Sequence, residues 1–192
     1  MSPRKTSIRL LGQKLSDELL MQRLQAGQLE ACSVLFERYH IPLYNFFLHS
    51  TSDRSLSEDL SQSVFERLMR YQHSFKPGNS FRSWIYQIAR NLLYSHFQEK
   101  RLLLSPEIDL DKNYSESEDK SRINSQEYQD QLQLALGRIK KEHREIIVLC
   151  KLQGFTLKEA GQVLECSEGA AKVRMHRAMQ QLRTQFFKSN SL

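Results

Sequence analysis

Apolar residues recur every three or four positions along most of this chain, and one long polar segment interrupts them. This spacing places apolar side chains on one face of an α-helix. The segment from Leu104 to Ser125 is rich in Ser, Asp and Glu, and it is too poor in apolar residues to order itself. The pattern predicts an all-α protein with two small helical domains, residues 16–101 and 128–188, joined by a flexible acidic linker at 102–127.

Charge is distributed unevenly along the 192 residues, which carry a formal net charge of +6. Residues 80–101 contain four basic side chains and one acidic side chain, whereas residues 102–127 contain three basic and seven acidic ones. Basic regions attract polyanions, of which nucleic acid is the commonest partner. The charge pattern therefore favours a nucleic-acid-binding protein.

Several classes of protein lack support in the sequence. An apolar run of about 20 residues is missing, so we expect no membrane-spanning helix. The N-terminus is basic without a long apolar segment, so we expect no signal peptide. Cys32, Cys150 and Cys166 are odd in number and widely spaced, which predicts buried reduced thiols in a cytoplasmic protein. The histidines form no metal-binding motif, and we predict neither a metal nor a cofactor.

Capping residues predict where several N-terminal helices begin. Ser16 precedes two acids and an apolar run, which is an N-cap pattern. Ser55 and Glu58 fit the S-x-x-E capping box of another helix. Between the helix that Ser16 caps and the helix that Ser55 caps, we predict two more helices. One covers about residues 30–39, and the next begins near Pro42.

The stretch "SFRSWIYQIARNLLYSHFQEKR", residues 80–101, has two faces at helical spacing. One face is apolar and predicts a core, with members Phe81, Trp84, Ile85, Ile88, Ala89, Leu92 and Leu93. The other face combines cations and amides with aromatic rings: Arg82, Tyr86, Gln87, Arg90, Asn91, Tyr94 and Gln98. Single-stranded nucleic acid binds to such surfaces, because bases stack on rings and phosphates pair with cations. A solvated helix face explains the same residues equally well.

The C-terminal part contains a helix-turn-helix pattern. Thr156 and Glu159 form a T-x-x-E capping box, the short helix 157–164 follows, and Ser167 caps a longer helix. Gly161 lies in the middle of the short helix, where close packing of the two helices would explain it.

The longer helix of this pair is basic on one side. We expect Ala171, Met175, Ala178, Leu182 and Phe186 to face inward. Lys172, Arg174, His176, Arg177 and Arg183 then face outward, as in a helix that reads duplex DNA. An ordinary basic surface helix is the alternative.

Three N-terminal segments, in order, resemble domain 2 of extracytoplasmic-function (ECF) sigma factors. These segments are "LMQRLQAGQLEACSVLFERYHIPLYNFF", "SEDLSQSVFERLMR" and "SFRSWIYQIARNLLYSHFQEKR". The segment "ALGRIKKEHREIIVLCKLQGFTLKEAGQVLECSEGAAKVRMHRAMQQLR" resembles domain 4 of the same family. The resemblance covers residues 16–101 and 131–183, and the ordered pair is far more specific than a helix-turn-helix alone.

The resemblance implies a role for each part of domain 2. The "SEDLSQSVFERLMR" helix would grip the clamp helices of the β′ subunit of core RNA polymerase, through Glu58, Asp59, Gln62, Phe65 and Glu66. A solvated acidic face is the alternative for these charges. The loop "SFKPGNSF" and the helix after it would hold the non-template strand of the minus-10 element. The residues implied are Ser74, Phe75, Lys76, Arg90, Asn91, Tyr94 and Arg101, with Asn91 reading a base edge.

In domain 4 the resemblance implies that the last helix reads the minus-35 element. The residues implied are Lys172, Val173, Arg174, His176 and Arg177. Where the family commonly has "GTVKSR", this chain has "GAAKVR". Ala170 and Val173 therefore replace hydroxyl residues, which removes two hydrogen-bonding groups and leaves open which sequence is read.

As a whole, the resemblance implies a sigma factor that directs transcription initiation and catalyses no reaction itself. Its partners would be promoter DNA, the β′ clamp helices and β flap of core RNA polymerase, and an anti-sigma factor, often membrane-bound in this family. The free protein would be a cytoplasmic monomer that does not insert into a membrane. Two alternatives are a stand-alone helix-turn-helix regulator and a nucleic-acid enzyme, although the grouped carboxylates of a metal-dependent enzyme are missing.

Overall fold

A computed structural model describes residues 15–103 and 125–189, and it confirms the all-α prediction. Within these ranges the chain forms eight α-helices and no strand. Residues 104–124 of the predicted linker lie outside the described residues. The helices are α1 (Asp17–Gln25), α2 (Glu30–Thr51), α3 (Arg54–Tyr71), α4 (Phe81–Leu103), α5 (Ser125–Gly137), α6 (Lys141–Ile147), α7 (Leu157–Val163) and α8 (Glu168–Ser189), with a 3-10 turn at Gln72–Ser74 and a π-helical turn at Val148–Leu152.

The N-terminal unit consists of α1–α4 packed around one apolar core. The predicted apolar stripe of α4 lies in this core, since Phe81, Ile85 and Ala89 are fully buried. Trp84 is half-buried and packs edge-on against Phe75, with ring centroids 5.4 Å apart. The prediction of a core role for Trp84 is therefore confirmed.

The predicted N-cap of α1 is confirmed, and that of α3 is wrong. Ser16 accepts a hydrogen bond from the backbone N–H of Leu19 at 3.2 Å. Helix α3 begins at Arg54, and its cap is Asp53, whose carboxylate accepts from the Leu56 N–H at 3.0 Å. Asp caps a helix as well as Ser does, and its position earlier in the chain leaves Ser55 inside the first turn.

Pro42 lies inside one continuous helix, so the prediction of two helices is wrong here. Helix α2 runs for 22 residues through Pro42. Proline within a helix costs about 3 kcal/mol, because it removes a hydrogen bond and crowds the preceding turn. Burial outweighs this cost, since Leu35 before it and Leu43 and Phe47 after it are all fully buried.

The C-terminal unit consists of α5–α8 with the π-helical turn, and it contains the predicted helix-turn-helix. Thr156 accepts from the Glu159 N–H at 3.2 Å, and Glu159 accepts from the Thr156 N–H at 2.8 Å, which confirms the capping box. In the turn between α7 and α8, Glu165 adopts a left-handed φ of 55°. Ser167 then accepts from the Ala170 N–H at 3.2 Å, as its predicted role as the cap of α8 requires.

Gly161 is required by the close approach of this turn. A Cβ atom at Gly161 would lie 2.8 Å from the carbonyl oxygen of Cys166. The prediction of close packing is confirmed, although the nearest neighbour belongs to the turn rather than to α8. Glycine is therefore needed here for space rather than for backbone conformation.

The two units pack against each other, which the sequence did not predict. Arg144 of α6 donates to the carbonyl oxygen of Ser50 at the end of α2, at 3.0 Å. Gln133 of α5 donates to the carbonyl oxygen of Leu48 at 3.1 Å and to the Ser52 hydroxyl at 2.9 Å. Helix α4 also packs along α7, so a substantial part of its surface is covered.

The described ranges contain neither a membrane-spanning helix nor a metal-binding cluster. None of the helices there is both long enough and apolar enough to cross a membrane. The same residues contain no group of three His, Cys, Asp or Glu side chains that could hold a metal ion. Cys32, Cys150 and Cys166 are free and half-buried rather than fully buried, and burial raises the pKa of the Cys32 and Cys150 thiols.

Candidate nucleic-acid interface

The loop before α4 is held in place by an aromatic side chain beneath it. Phe75, predicted to be one of the residues that hold the non-template strand, is only 3 % exposed and packs against Phe81 and Trp84 in the core. The carbonyl oxygen of Phe75 accepts a hydrogen bond from Gln25 at 3.0 Å. Phe75 therefore acts as the anchor of the loop. Ser74 and Lys76 lie exposed on either side of it, where a nucleic-acid strand could reach them.

On the polar face of α4, a cation stacks on an aromatic ring. The guanidinium carbon of Arg90 lies 4.8 Å from the centroid of the Tyr94 ring, one helical turn away. Asn91 lies beside this pair and is exposed. Arg101 lies further along the same helix, and its side chain is outside the description. Arg90, Asn91 and Tyr94 thus form one continuous surface.

An acidic side chain of the C-terminal unit lies against this surface. Glu145 of α6 is 3 % exposed, and its Oε2 lies 3.8 Å from Arg90 Nε. This separation suits an ion pair but is too long for a hydrogen bond. The Tyr94 hydroxyl donates to the same oxygen at 3.3 Å. The Lys141 ammonium lies over the Tyr94 ring, 3.6 Å from its centroid.

Burial is the largest influence on the pKa of two groups in this cluster. It raises the pKa of Glu145 above the usual range, although Arg90 and Lys141 act to lower that pKa. The pKa of the Tyr94 hydroxyl is also raised, first by burial and then by the charge of Glu145. Among the described residues, neither Arg90 Nε nor Glu145 Oε1 has a hydrogen-bond partner. The cationic side chains therefore attract the Glu145 carboxylate, but the hydrogen bonds of the cluster are incomplete.

Tyr86 was predicted on the exposed face of α4, and that prediction is wrong. Its side chain is 1 % exposed and packs edge-on against Phe155, with centroids 4.8 Å apart. Arg82 also stacks on Phe155, with its guanidinium carbon 4.0 Å from the centroid of the ring. Further along α4, Ser83 and Gln87 bond to the side chain and the backbone carbonyl of Gln162, at 2.9 and 2.8 Å. The second unit therefore covers most of this face.

The basic face of α8, which the sequence predicts to read duplex DNA, lies open to solvent. Lys172, Val173, His176 and Arg177 are exposed, and Val173 keeps 52 % of its surface. Arg174 is half-buried, and its charge acts to lower the pKa of Glu145, which burial raises overall. The residues predicted to face inward follow the prediction, since Ala171 and Ala178 are fully buried and Met175, Leu182 and Phe186 are buried or half-buried.

The outer face of α3 carries the residues predicted to contact polymerase. Glu58, Asp59, Gln62 and Glu66 are exposed. Phe65, predicted to be an anchor, lies in the core at 8 % exposure, tilted against the ring of Phe36 at 4.8 Å.

The aromatic side chain exposed beside this face of α3 is Phe36 of α2, which the sequence analysis did not identify. Phe36 and Ile41 keep 44 % and 57 % of their surfaces and line a groove of about 320 Å³ beside Glu58 and Gln62. Their positions out of phase with the core stripe of α2 were the signal that could have identified them.

Two helical units, one of which contains a helix-turn-helix, are an arrangement typical of DNA-binding transcription factors. The sequence agrees with this class, because it matches the family descriptions "Sigma-70 region 2" over residues 35–102 and "Sigma-70, region 4" over residues 135–184. The two matches fall on the two units that carry the α4 surface and the helix-turn-helix.

The similar proteins narrow the class to one family. The chain is 30 % identical to the ECF RNA polymerase sigma factor BldN of Streptomyces coelicolor, over 85 % of this chain and 63 % of that protein. It is 29 % identical to the RNA polymerase sigma factor CarQ of Myxococcus xanthus, over 85 % of this chain and 93 % of CarQ. The solved structure of the sigma factor RpoE with the anti-sigma factor NepR, from Bartonella quintana, superposes with a TM-score of 0.66 at 26 % identity, covering 78 % of this chain and 92 % of RpoE. The chain belongs to the ECF RNA polymerase sigma factors, which direct promoter-specific transcription, and the resemblance found in the sequence is confirmed.

Proposed function

We propose that this sigma factor captures the non-template strand of the minus-10 element on α4 while α8 reads the minus-35 element as duplex DNA. The observation that carries the proposal is the stack of Arg90 on Tyr94 beside the exposed Asn91. A base can stack on such a surface, a phosphate can pair with the cation, and an amide can read a base edge.

Opening of the promoter follows from selective capture of one base. Extruding a base from a duplex costs a few kcal/mol of unstacking. The exposed loop residues Ser74 and Lys76, together with Asn91, offset this cost only for a base that fits them. Recognition and strand separation then become a single event, and the protein needs no catalytic residue of its own.

Duplex recognition is assigned to the exposed side of α8. Lys172, Val173, His176 and Arg177 lie near the start of the helix, where a recognition helix meets base edges in the major groove. Arg174 would pair with a phosphate. Val173 offers only an apolar contact, which suits the methyl group of thymine.

The polymerase contact is assigned to the outer face of α3. Glu58, Asp59, Gln62 and Glu66 would meet the β′ clamp helices, with domain 4 on the β flap. Phe36 supplies the exposed aromatic side chain that Phe65, buried beneath it, does not. In this role the protein works in the cytoplasm as a monomer until core enzyme binds it.

An anti-sigma factor is the proposed regulator. RpoE of Bartonella quintana, which is similar to this chain in sequence and fold, was solved in complex with one. The groove of Phe36 and Ile41 and the acidic face of α3 are the surfaces that we assign to such a partner.

Run-off transcription with purified core polymerase tests the proposal. Asn91→Ala and Lys172→Ala are each expected to lower promoter-specific transcription by about tenfold, the effect of losing one base-edge or phosphate contact. Binding to core enzyme should be unchanged, as measured by co-elution. Wild-type activity in both variants would reject the two assignments. A gel shift without core enzyme separates this function from that of a stand-alone regulator, which binds its site alone.

A further inference from the structure

The C-terminal end of α1 lies against the loop that precedes α4, residues 72–80. Gln25, the last residue of α1, is half-buried, and its side-chain Nε2 donates to two carbonyl oxygens of this loop. The acceptors are the carbonyl of Gln72 at 2.7 Å and the carbonyl of Phe75 at 3.0 Å. An amide NH2 group has two hydrogens, so this single side chain can bond to both carbonyls at once. Gln25 therefore holds the 3-10 turn Gln72–Ser74 together with the residue after it.

The same loop is fixed at two further points. The ring of Phe75 packs in the core against Phe81 and Trp84. Where the loop ends, Glu18 of α1 accepts a hydrogen bond at 3.2 Å from the backbone N–H of Phe81, the first residue of α4. Helix α1 is itself held in place, because its apolar side is buried in the core. The loop is therefore supported by a rigid element at both of its ends.

The support from α1 leaves the side chains of the loop available. Both bonds of Gln25 and the bond of Glu18 reach main-chain atoms. Ser74 and Lys76, on either side of Phe75, stay exposed, and these are the loop residues to which we assign the captured base. A loop held in its binding conformation loses less entropy when the ligand arrives, whereas a flexible surface can repack around several ligands. Rigid support therefore favours selection of one base.

We propose that Gln25 is a positioning residue for base selection, which holds the loop in the shape that accepts one base of the minus-10 element and rejects the others. It acts through the backbone of the loop rather than through a contact of its own with DNA. The inference rests on the proposed role of this loop. It gives α1 a part in promoter recognition in addition to its place in the core.

Two substitutions at Gln25 separate hydrogen bonding from packing. Gln25→Ala removes the side-chain amide. Gln25→Glu keeps the size of the side chain but presents a carboxylate, which accepts and does not donate, to two carbonyl oxygens. It should therefore disturb the loop at least as much as Gln25→Ala does. Gln22→Ala is the matched control, because Gln22 is an exposed glutamine about one turn earlier on the same helix.

Hydrogen exchange of the free full-length protein measures the loop directly. The Phe75 N–H donates to the carbonyl oxygen of Gln72 at 3.2 Å, within the turn that Gln25 holds. In both Gln25 variants we expect peptides that cover residues 72–80 to exchange severalfold faster than in Gln22→Ala. Unchanged exchange in either Gln25 variant would overturn the inference.

Run-off transcription with core polymerase measures base selection. The templates carry a promoter that the wild-type holoenzyme uses, with every base in turn at each minus-10 position. Both Gln25 variants should lower the preference for the best base at one of these positions by about fivefold, which is the low end of a single-base effect. Preferences in the minus-35 element should be unchanged. A merely structural role would lower transcription from all templates together and leave every preference intact, and that result would also overturn the inference.

Substitution of the loop itself distinguishes failure of the inference from failure of the proposed function. Ser74→Ala and Lys76→Ala should change selection at the same minus-10 position. If they do so and the Gln25 variants do not, Gln25 is not a positioning residue and the proposed role of the loop stands. If neither loop variant changes selection at any position, capture of the strand by this loop is contradicted, and the inference fails with it.

Discussion

Tyr86 of α4 donates its hydroxyl hydrogen to the side-chain oxygen of Gln153 in the C-terminal unit, at 2.8 Å. The same ring packs edge-on against Phe155 and against Phe46. A residue that helical periodicity places on the outside of α4 is thus enclosed between the two units. Burial raises the pKa of Tyr86 well above its usual range, so its hydroxyl remains a donor at all physiological pH values.

We predict that Tyr86→Phe weakens the packing of the two units by about 1 kcal/mol, because the acceptor Gln153 loses its donor while the ring contacts remain. The rate at which a short bismaleimide crosslinks a Gln87→Cys/Gln162→Cys pair measures this change and should fall severalfold. Tyr71→Phe is the control, since Tyr71 is half exposed on α3 and its substitution should leave the rate unchanged. Equal rates in both variants would contradict the assigned role of the hydroxyl.

The N-cap of α3 gives a prediction that distinguishes the cap seen in the structure, Asp53, from the cap that the sequence pattern favoured, Ser55. Asp53→Ala removes the carboxylate that accepts from the Leu56 N–H, so we expect a loss of about 1 kcal/mol in the free energy of unfolding. Ser55→Ala, at an exposed position within the first turn, should change it by less than about 0.5 kcal/mol. Urea unfolding followed by circular dichroism compares the two, and the reverse order would favour the capping box at Ser55.

Two glycines of the helix-turn-helix should respond to the same substitution in opposite directions. A Cβ at Gly161 would meet the carbonyl oxygen of Cys166 at 2.8 Å, whereas a Cβ at Gly169 would lie 4.0 Å from the Ser167 hydroxyl. We expect Gly161→Ala to destabilise the protein by about 1–3 kcal/mol through overpacking. Gly169→Ala should stabilise it by up to about 1 kcal/mol, because alanine favours the helix. Thermal unfolding measures both, and stabilisation by Gly161→Ala would show that the turn adapts.

Helix caps and core faces could be predicted because they depend on neighbours in the sequence. Ser16 and Thr156 cap helices through residues three positions away. The cap at Asp53 was missed because two acceptable caps lie two residues apart, and local chemistry does not choose between them. Helix α2 continues through Pro42 because burial on both sides outweighs a local cost, and burial depends on the whole core.

The candidate site was predictable only as a set of residues on one helix. Periodicity places Arg90, Asn91 and Tyr94 on a common face, and the structure keeps them together. Periodicity gives no information about which distant segment covers that face. The contacts of Tyr86 and Glu145 could therefore not be predicted from it. Phe36 illustrates the same limit, because its own helix does not reveal that it lies over Phe65 of the neighbouring helix.

The packing of the two units against each other, the closed form, should depend on pH through Glu145. The groups that face its carboxylate are Arg90 and Tyr94 of α4, Lys141 of α6 and Arg174 of α8. Burial raises the pKa of Glu145 in the closed form, while separation of the units would return it toward its usual value. The closed form therefore binds a proton more readily than the open form. As pH falls toward the raised pKa, the equilibrium should shift toward the closed form, by at most about tenfold per pH unit for one proton.

Crosslinking of the Gln87→Cys/Gln162→Cys pair between about pH 7.5 and about pH 5 measures this shift, with rates corrected for the known pH dependence of maleimide reaction. Another polar contact, between His49 and Gln133, also crosses the unit interface. Glu145→Gln is therefore the control, because it keeps His49 and removes the carboxyl group. We expect closure that increases with acidity in the wild type and a smaller slope in Glu145→Gln. Equal slopes would show that Glu145 does not cause the pH dependence.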